Sequence, residues 1–422
     1  MKSSPRQSLG VLVLVVVAVA ASACGGGEST STDDATAVPA DTDVAMTAEE
    51  SAGPTSTEAA AASSAMASPT ATGAASGAAF DCCGAVGVMG PFTGDAASIG
   101  QEQLNWATFA LDRFNTDNGT AFTLAEGDTQ LDPAQATTVA QQFISDQEII
   151  GVVGPAGSQE VEAIGPIFDG ALAFVSPSAT STDLTDGSIE GFFRVVPRDD
   201  VQGPTDAEYM ISELDAGNVL IIDDQTSYST GLADSVAQTL QDSDVTVDTD
   251  SVNQDQTDFS SLVSAIGDDV DVVFLPWQIA ANAQVFAQQM TEQGKQATIF
   301  GSDGLFSPDD FTADGAYVSS FAPDIRGIPE DEELVTAYTE EYGEFGTFGP
   351  PVYAAMQAVL TAATTTCEEG EPSRDAVLAA LPETSIDNSI LGGTLTFDSS
   401  GDIEGADFFI FQIQDGEYTL VQ

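Results

Sequence analysis

Three hydroxyl side chains, Ser158, Ser178 and Thr180, stand just beyond the ends of two short apolar runs, 149–153 and 171–175. The first run leads through a Gly/Pro turn to Ser158, which opens a helical stretch. The second leads into Ser176-Pro177-Ser178-Ala179-Thr180. Hydroxyls set among small residues leave backbone N–H groups accessible. A helix N-terminus adds unpaired donors and a dipole that favours anions. If the two runs are strands of one parallel sheet, both loops lie in the crevice outside the strand C-termini, where open α/β sheets bind ligands. The chemistry this implies is capture of a small carboxylate.

The elements that would position these loops repeat along the chain. Apolar runs occur at 85–89, 121–125, 149–153, 171–175, 192–196, 218–223, 271–275, 297–300 and 316–321. Helical patterns lie between most of them. One covers about 97–115, with Leu104, Ala107, Leu111 and Phe114 at helical spacing. Another follows Asp132-Pro133, an N-cap and first-turn proline, with Ala136, Val139, Ala140 and Phe143 on one face. Further helices are expected near 203–214, 229–241, 258–267, 279–294, 330–343, 350–366 and 374–381. Alternating βα units predict an α/β fold of parallel sheets with helices on both faces. The series pauses at 198–203 and breaks at 322–327, and hairpin-like strands are expected at 393–398 and 408–414. Three crossings between two lobes follow, which makes a hinged pair. The expected boundaries are 83–200 with 326–408 for one lobe and 201–325 with 409–422 for the other.

The start of the chain reads as a leader over 1–23: Lys2 and Arg6, an apolar run at 9–21, then Ser22-Ala23-Cys24. The apolar run is short for a membrane span. Ala21-Ser22-Ala23-Cys24 resembles a bacterial lipobox. Cys24 would then carry the lipid that anchors the protein to the outer face of the cell membrane. Residues 25–79 contain no aromatic residue and are rich in Ala, Ser, Thr, Gly and acids. They predict a disordered tether with an end-to-end distance of roughly 40 Å. The net charge is −59, with 8 Lys+Arg and no His. That field excludes nucleic acid and an anionic lipid surface as partners and suits a salt-rich medium in which repulsion is screened. Besides Cys24 the chain has Cys82, Cys83 and Cys367. Export permits a disulfide. Cys82 or Cys83 with Cys367 is the long-range choice, and Cys83–Cys367 is the pairing expected, although sequence does not fix connectivity.

Several segments share a family pattern in one order. They are VGVMGPFTGDAASIGQEQLNWATFALDRFN (86–115), GDTQLDPAQATTVAQQFI (127–144), GVVGPAGSQEVEAIGPI (151–167), FVSPSATSTDLT (174–185), FFRVVPRDDVQGPTDAEYM (192–210) and FGSDGL (300–305). Together they resemble the Leu/Ile/Val-binding family of extracytoplasmic solute-binding proteins, the receptors of ABC importers, across nearly all of 84–422. The resemblance implies two Rossmann-like lobes that close on a ligand by hinge motion, the type I periplasmic binding fold. It implies an amino acid ligand delivered to an ABC permease. The carboxylate would be held at Ser158, Ser178, Ala179 and Thr180, and the ammonium by Asp303. Tyr228 would stand at the lobe interface and Phe348 in the side-chain pocket. Where the family has aromatics this chain has Ile99 before Gly100, and Trp277-Gln278 after the run at 271–275; these too are pocket candidates. Read singly, Ser158 would serve as an N-cap, Thr180 as a turn former, Asp303 as a surface charge and Trp277 as core. Their joint placement at strand ends is what singles them out. The same fold also receives amides, ureas or aromatic acids, or serves as a sensor.

No His is present for a triad or a His-based metal site, and there is neither a Walker A motif nor a dinucleotide glycine fingerprint. Asp309-Asp310 matches no EF-hand spacing. The expectation is a receptor with no cofactor, no metal and no catalysis.

Overall fold

The structure is a computed structural model that describes residues 82–367 and 372–422. The expected leader, Cys24 and tether lie outside the described residues. The chain starts with β1 (Cys83–Gly90), α1 (Ala97–Asn118), β2 (Ala121–Asp128), α2 (Pro133–Ser145), β3 (Ile149–Val153), α3 (Ser158–Phe168), β4 (Phe174–Ser176) and β5 (Phe192–Arg194). These strands form one parallel sheet in the order β2-β1-β3-β4-β5.

A second series follows: α4 (Asp199–Ser212), β6 (Asn218–Asp223), α5 (Ser227–Asp242), β7 (Thr246–Ser251), α6 (Ser260–Ala265), β8 (Val272–Leu275), α7 (Ala280–Glu292), β9 (Thr298–Gly301) and β10 (Tyr317–Ser320). Next come α8 (Glu332–Tyr342), α9 (Gly349–Cys367) and α10 (Arg374–Ala380), of which α9 packs back on α1, β3 and β4. Finally β11 (Phe409–Gln414) and β12 (Glu417–Leu420) join the second sheet, in the order β12-β11-β10-β9-β8-β6-β7. The chain passes between sheets three times: after β5, after β10, and between Asp402, bridged to Arg194, and β11.

Local chemistry accounts for the elements. The Asp132 carboxylate accepts the Gln135 N–H at 2.8 Å, Pro133 fills the first turn, and Ala136, Val139, Ala140 and Phe143 form the buried face of α2. The Arg374 side chain ties down the carbonyls of Phe143 and Ile144 at the end of α2. Central strands β3 and β8 are buried along their whole length, as strands covered on both faces must be. Asp415 and Gly416, both at positive φ, turn β11 into β12 as a two-residue hairpin requires.

Some expectations change. The 393–398 segment makes only isolated bridges, Ile386 with Leu395 and Phe397 with Ile403. Strand β7 was not expected: its sequence, TVDTDS, is polar and exposed because it forms the outer edge of its sheet. Cys82, not Cys83, is bonded to Cys367, with Cα atoms 5.6 Å apart. Neighbouring residues of an extended chain face opposite ways. Cys82 is buried toward α9, and Cys83 points into solvent.

Candidate functional site

In the first sheet the strand order reverses at β1 and β3, and the loops after β3 and β4 lie beside that switch. Gly157 caps α3, so Ser158 is its first helical residue. The first intrahelical bonds run from the Glu160 and Val161 N–H groups to the Gly157 carbonyl, which leaves the opening N–H groups of α3 directed at the crevice. Glu160 folds back to accept the Gly157 N–H at 2.8 Å; burial pushes its carboxyl up to about 7.

The two loops brace each other. The Ser176 hydroxyl donates to the Pro155 carbonyl at 2.7 Å and accepts the Ala179 N–H at 3.0 Å. The Ser178 hydroxyl donates to the Ala156 carbonyl at 2.9 Å and accepts from Gln103 Nε2 at 3.0 Å. Ser158 Oγ accepts the Ser181 N–H at 3.2 Å. The Thr180 hydroxyl is buried beside the Asp199 carboxyl. Of the four first-lobe candidates, Ser178 and Ala179 therefore shape the loop, while the Thr180 hydroxyl faces the acids of the second half of the site.

Across the cleft, loops after β6, β8 and β9 present Tyr228, Gln278 and Asp303, again beside a reversal of strand order, here at β6 and β8. Asp303 is buried, and its Oδ1 accepts from Tyr228 Oη at 2.6 Å and Gln202 Nε2 at 2.7 Å. Burial pushes the Asp303 carboxyl up to about 6, against the pull of those two donors. Gln278 Oε1 accepts from Gln159 Nε2 of the opposite lobe at 2.8 Å. The apolar surfaces of Ile99, Leu131, Ala156 and Phe348 join Leu305 and Phe306 of the other lobe in one cluster, so the lobes meet. Ile99 and Phe348 also line a cavity of about 710 Å³ between the lobes. Trp277 lies differently. Its indole N–H donates to the Ile222 carbonyl at 2.6 Å and its ring packs on Phe259 and Phe286.

Sequence reading passed over Asp199, Gln202 and Asp206. They lie at i, i+3 and i+7 on one face of α4 and are all buried. The Asp199 N–H donates to the Thr180 carbonyl at 2.9 Å, so this residue joins the two halves of the site. Its carboxylate faces the Thr180 hydroxyl. Burial, with the nearby charge of Asp303, pushes it up to about 7, against the pull of that hydroxyl. Burial also raises Asp206 well above the usual carboxylate range; its Oδ2 accepts from Ser319 Oγ at 3.1 Å. The available signal was three polar residues repeating at helical spacing on a face that should be apolar. The nearby cation, Arg194, already pairs with Asp402 at 2.5 Å. The second half of the site therefore holds an excess of buried carboxyls over cations. Among the described residues, no group of three or more His, Cys, Asp or Glu side chains is arranged to hold a metal ion.

This electrostatic arrangement has a pH signature. Raised carboxyl pKa values mean the folded protein keeps protons that the unfolded chain releases. The stabilisation is complete below about pH 4 and is lost as pH rises through about 6 to 7. Melting temperature without ligand should fall over that window. A cationic ligand group needs the ionised form, so its affinity should rise over the same window, by up to about tenfold per pH unit. Calorimetric titration with an amine-bearing ligand from about pH 5 to 8 checks this; flat affinity would remove Asp303 and Asp199 from that ligand's surroundings.

Two α/β lobes that meet over such a crevice and are joined by three crossings define a type I periplasmic binding fold, an extracytoplasmic solute receptor. The periplasmic binding protein family model matches residues 85–417, and the chain belongs to that family. It is 29% identical over 352 residues to Leu/Ile/Val-binding protein homolog 2 of Brucella abortus, covering 80% of this chain and 93% of that one. Its fold is similar to a leucine-binding protein of Thermotoga maritima, with a TM-score of 0.74, 20% identity, and 80% and 97% of the two chains covered. It is also similar to a branched-chain amino acid transporter substrate-binding protein of Streptococcus pneumoniae in complex with isoleucine, with a TM-score of 0.71, 23% identity, and 80% and 99% covered.

Proposed function

We propose that this receptor captures an amino acid zwitterion outside the cell and delivers it to the permease of an ABC importer. The observation that carries the reading is buried Asp303, which no cation among the described residues pairs, set across a cleft from the hydroxyl and N–H groups of 158 and 178–180. In this reading the opening N–H groups of α3, Ser158 and Thr180 take the ligand carboxylate, with Ser178 and Ala179 holding the loop in shape. Asp303, with Tyr228 and Asp199, takes the ammonium. Ile99 and Phe348 border the side chain, and Gln278 closes the second lobe around it, held in place by Trp277, which packs in that lobe's core. Exclusion of water strengthens both pairings. The family relatives named for branched-chain amino acids support this ligand class. A ligand without an amine, such as an aromatic acid, would set its own charge against Asp303 and leave that carboxyl unpaired.

The same proposal places a lipid on Cys24 and a salt-rich habitat, supported by the lipobox-like sequence and the net charge of −59. It assigns no cofactor and no catalysis. A thermal-shift screen of the amino acids, with amides and aromatic acids as alternatives, tests it in about 1 M salt, where exposed charges are screened. A ligand at a hundredfold excess over its Kd should add about 2.7 kcal/mol of stability. Shifts confined to amine-free ligands would overturn the proposed polarity.

A further inference from the structure

Arg194 is wholly buried at the end of β5, yet it contributes nothing to the cleft itself. Its guanidinium reaches in three directions. Nη1 donates to the Ala179 carbonyl at 3.1 Å and the Ser181 carbonyl at 2.7 Å. Nε meets Asp402 Oδ1 at 2.5 Å, and Nη2 donates to Thr185 Oγ1 at 2.6 Å. Asp402 Oδ2 in turn accepts from Thr185 Oγ1 at 2.9 Å and from Arg198 Nη1 at 3.3 Å. The backbone follows the same path, since the Arg194 N–H donates to the Gly401 carbonyl at 3.0 Å and the Asp199 N–H to the Thr180 carbonyl at 2.9 Å.

Three successive carbonyls, of Ala179, Thr180 and Ser181, are thus all held from the hinge side. A peptide whose carbonyl is fixed one way has its N–H fixed the other. Arg194 and Arg198 flank the first crossing between the lobes, and Asp402 stands at the start of the third.

We infer that Arg194 and Asp402 are a positioning pair that holds the 178–181 loop in shape, with the Thr180 N–H toward the ligand, and couples that loop to two of the three hinge strands. Binding and lobe closure then act as one event. Ligand pulling on the loop pulls on the Arg194 fork, and the fork ends on the hinge. A lysine could replace the charge but not the planar fork that reaches two carbonyls and a carboxylate together. The inference rests on the proposed carboxylate role of this loop. Its test therefore includes a readout that needs no ligand.

Asp402→Asn, Thr185→Val and Arg194→Lys are compared with Arg198→Ala in the full chain. Thr185→Val is the mild variant should a change in the buried pair prevent folding. Amide hydrogen exchange is followed at residues 178–182 without ligand, and leucine affinity is measured by calorimetry. Faster exchange at 178–182 is expected in Asp402→Asn, Thr185→Val and Arg194→Lys, with protection in the β8 and β9 strands unchanged. Leucine affinity should fall on the order of tenfold in those three, and little in Arg198→Ala. Unchanged exchange at 178–182 in folded Asp402→Asn or Thr185→Val overturns the inference, whatever happens to leucine. Loss of loop protection with no leucine binding by the unaltered protein would keep the pair as loop positioners and overturn the assigned ligand instead.

Discussion

Asp303→Ala should abolish amino acid binding in a calorimetric titration that gives a clear isotherm for the unaltered protein. The carboxylate is enclosed, oriented by Tyr228 and Gln202, and unpaired by any cation among the described residues. Removing one partner of a buried, hydrogen-bonded charge pair costs about 2–5 kcal/mol, or on the order of 30- to 5,000-fold in affinity. Fold stability without ligand should not fall, because the deletion relieves like charge near Asp199 and Asp206. That split separates a ligand contact from a structural residue. Asp303→Asn keeps the shape and hydrogen bonding but removes the charge, so it should lose most of the same affinity. Affinity within twofold of the unaltered protein in both variants would mean that the ammonium lies elsewhere.

Replacing Cys82 and Cys367 together by alanine should lower stability by about 2–5 kcal/mol, the usual range for a native bridge, and the melting temperature by roughly 4–10 °C. The bond joins residues 285 apart in sequence and pins the start of β1, next to the centre of its sheet, to the end of α9. Long closed loops lose the most unfolded-state entropy when cross-linked. Cys83→Ala should leave the melting temperature unchanged, since that side chain is exposed and free. Scanning calorimetry of both variants distinguishes them; an equal drop in each would reassign the bridge.

The sparse cations show how a strongly acidic chain uses what it keeps. Arg374 and Lys295 donate to backbone carbonyls near helix ends, Lys295 to Ile266. Arg326 lies over the Phe345 ring at 4.3 Å, and Arg113 over Phe109 at 5.7 Å. Arg194 and Arg198 serve the hinge. These residues have internal tasks, while the acids supply the solvated surface.

Much of the architecture was legible in order of appearance. Runs such as IIGVV and VVFL announce strands covered on both faces, and Asp132-Pro133 announces a helix whose buried face then follows from 3.6-residue spacing. Strand β7 escaped because an edge strand needs no apolar face. The loops of the first lobe were visible because hydroxyls and glycines directly follow apolar runs. Asp199, Gln202 and Asp206 were not, because among 67 acids a buried carboxyl looks like a surface one until its surroundings are known.

By itself, then, the sequence determined the βα repeat and the two hydroxyl-rich turns that follow β3 and β4, which are set by local periodicity and turn chemistry. Tertiary structure alone decided which hydroxyl in those turns faces the buried Asp199, which cysteine pairs, and that Arg194 faces the hinge. Partners such as Asp402 for Arg194 and Cys367 for Cys82, 208 and 285 residues away along the chain, are selected only by packing.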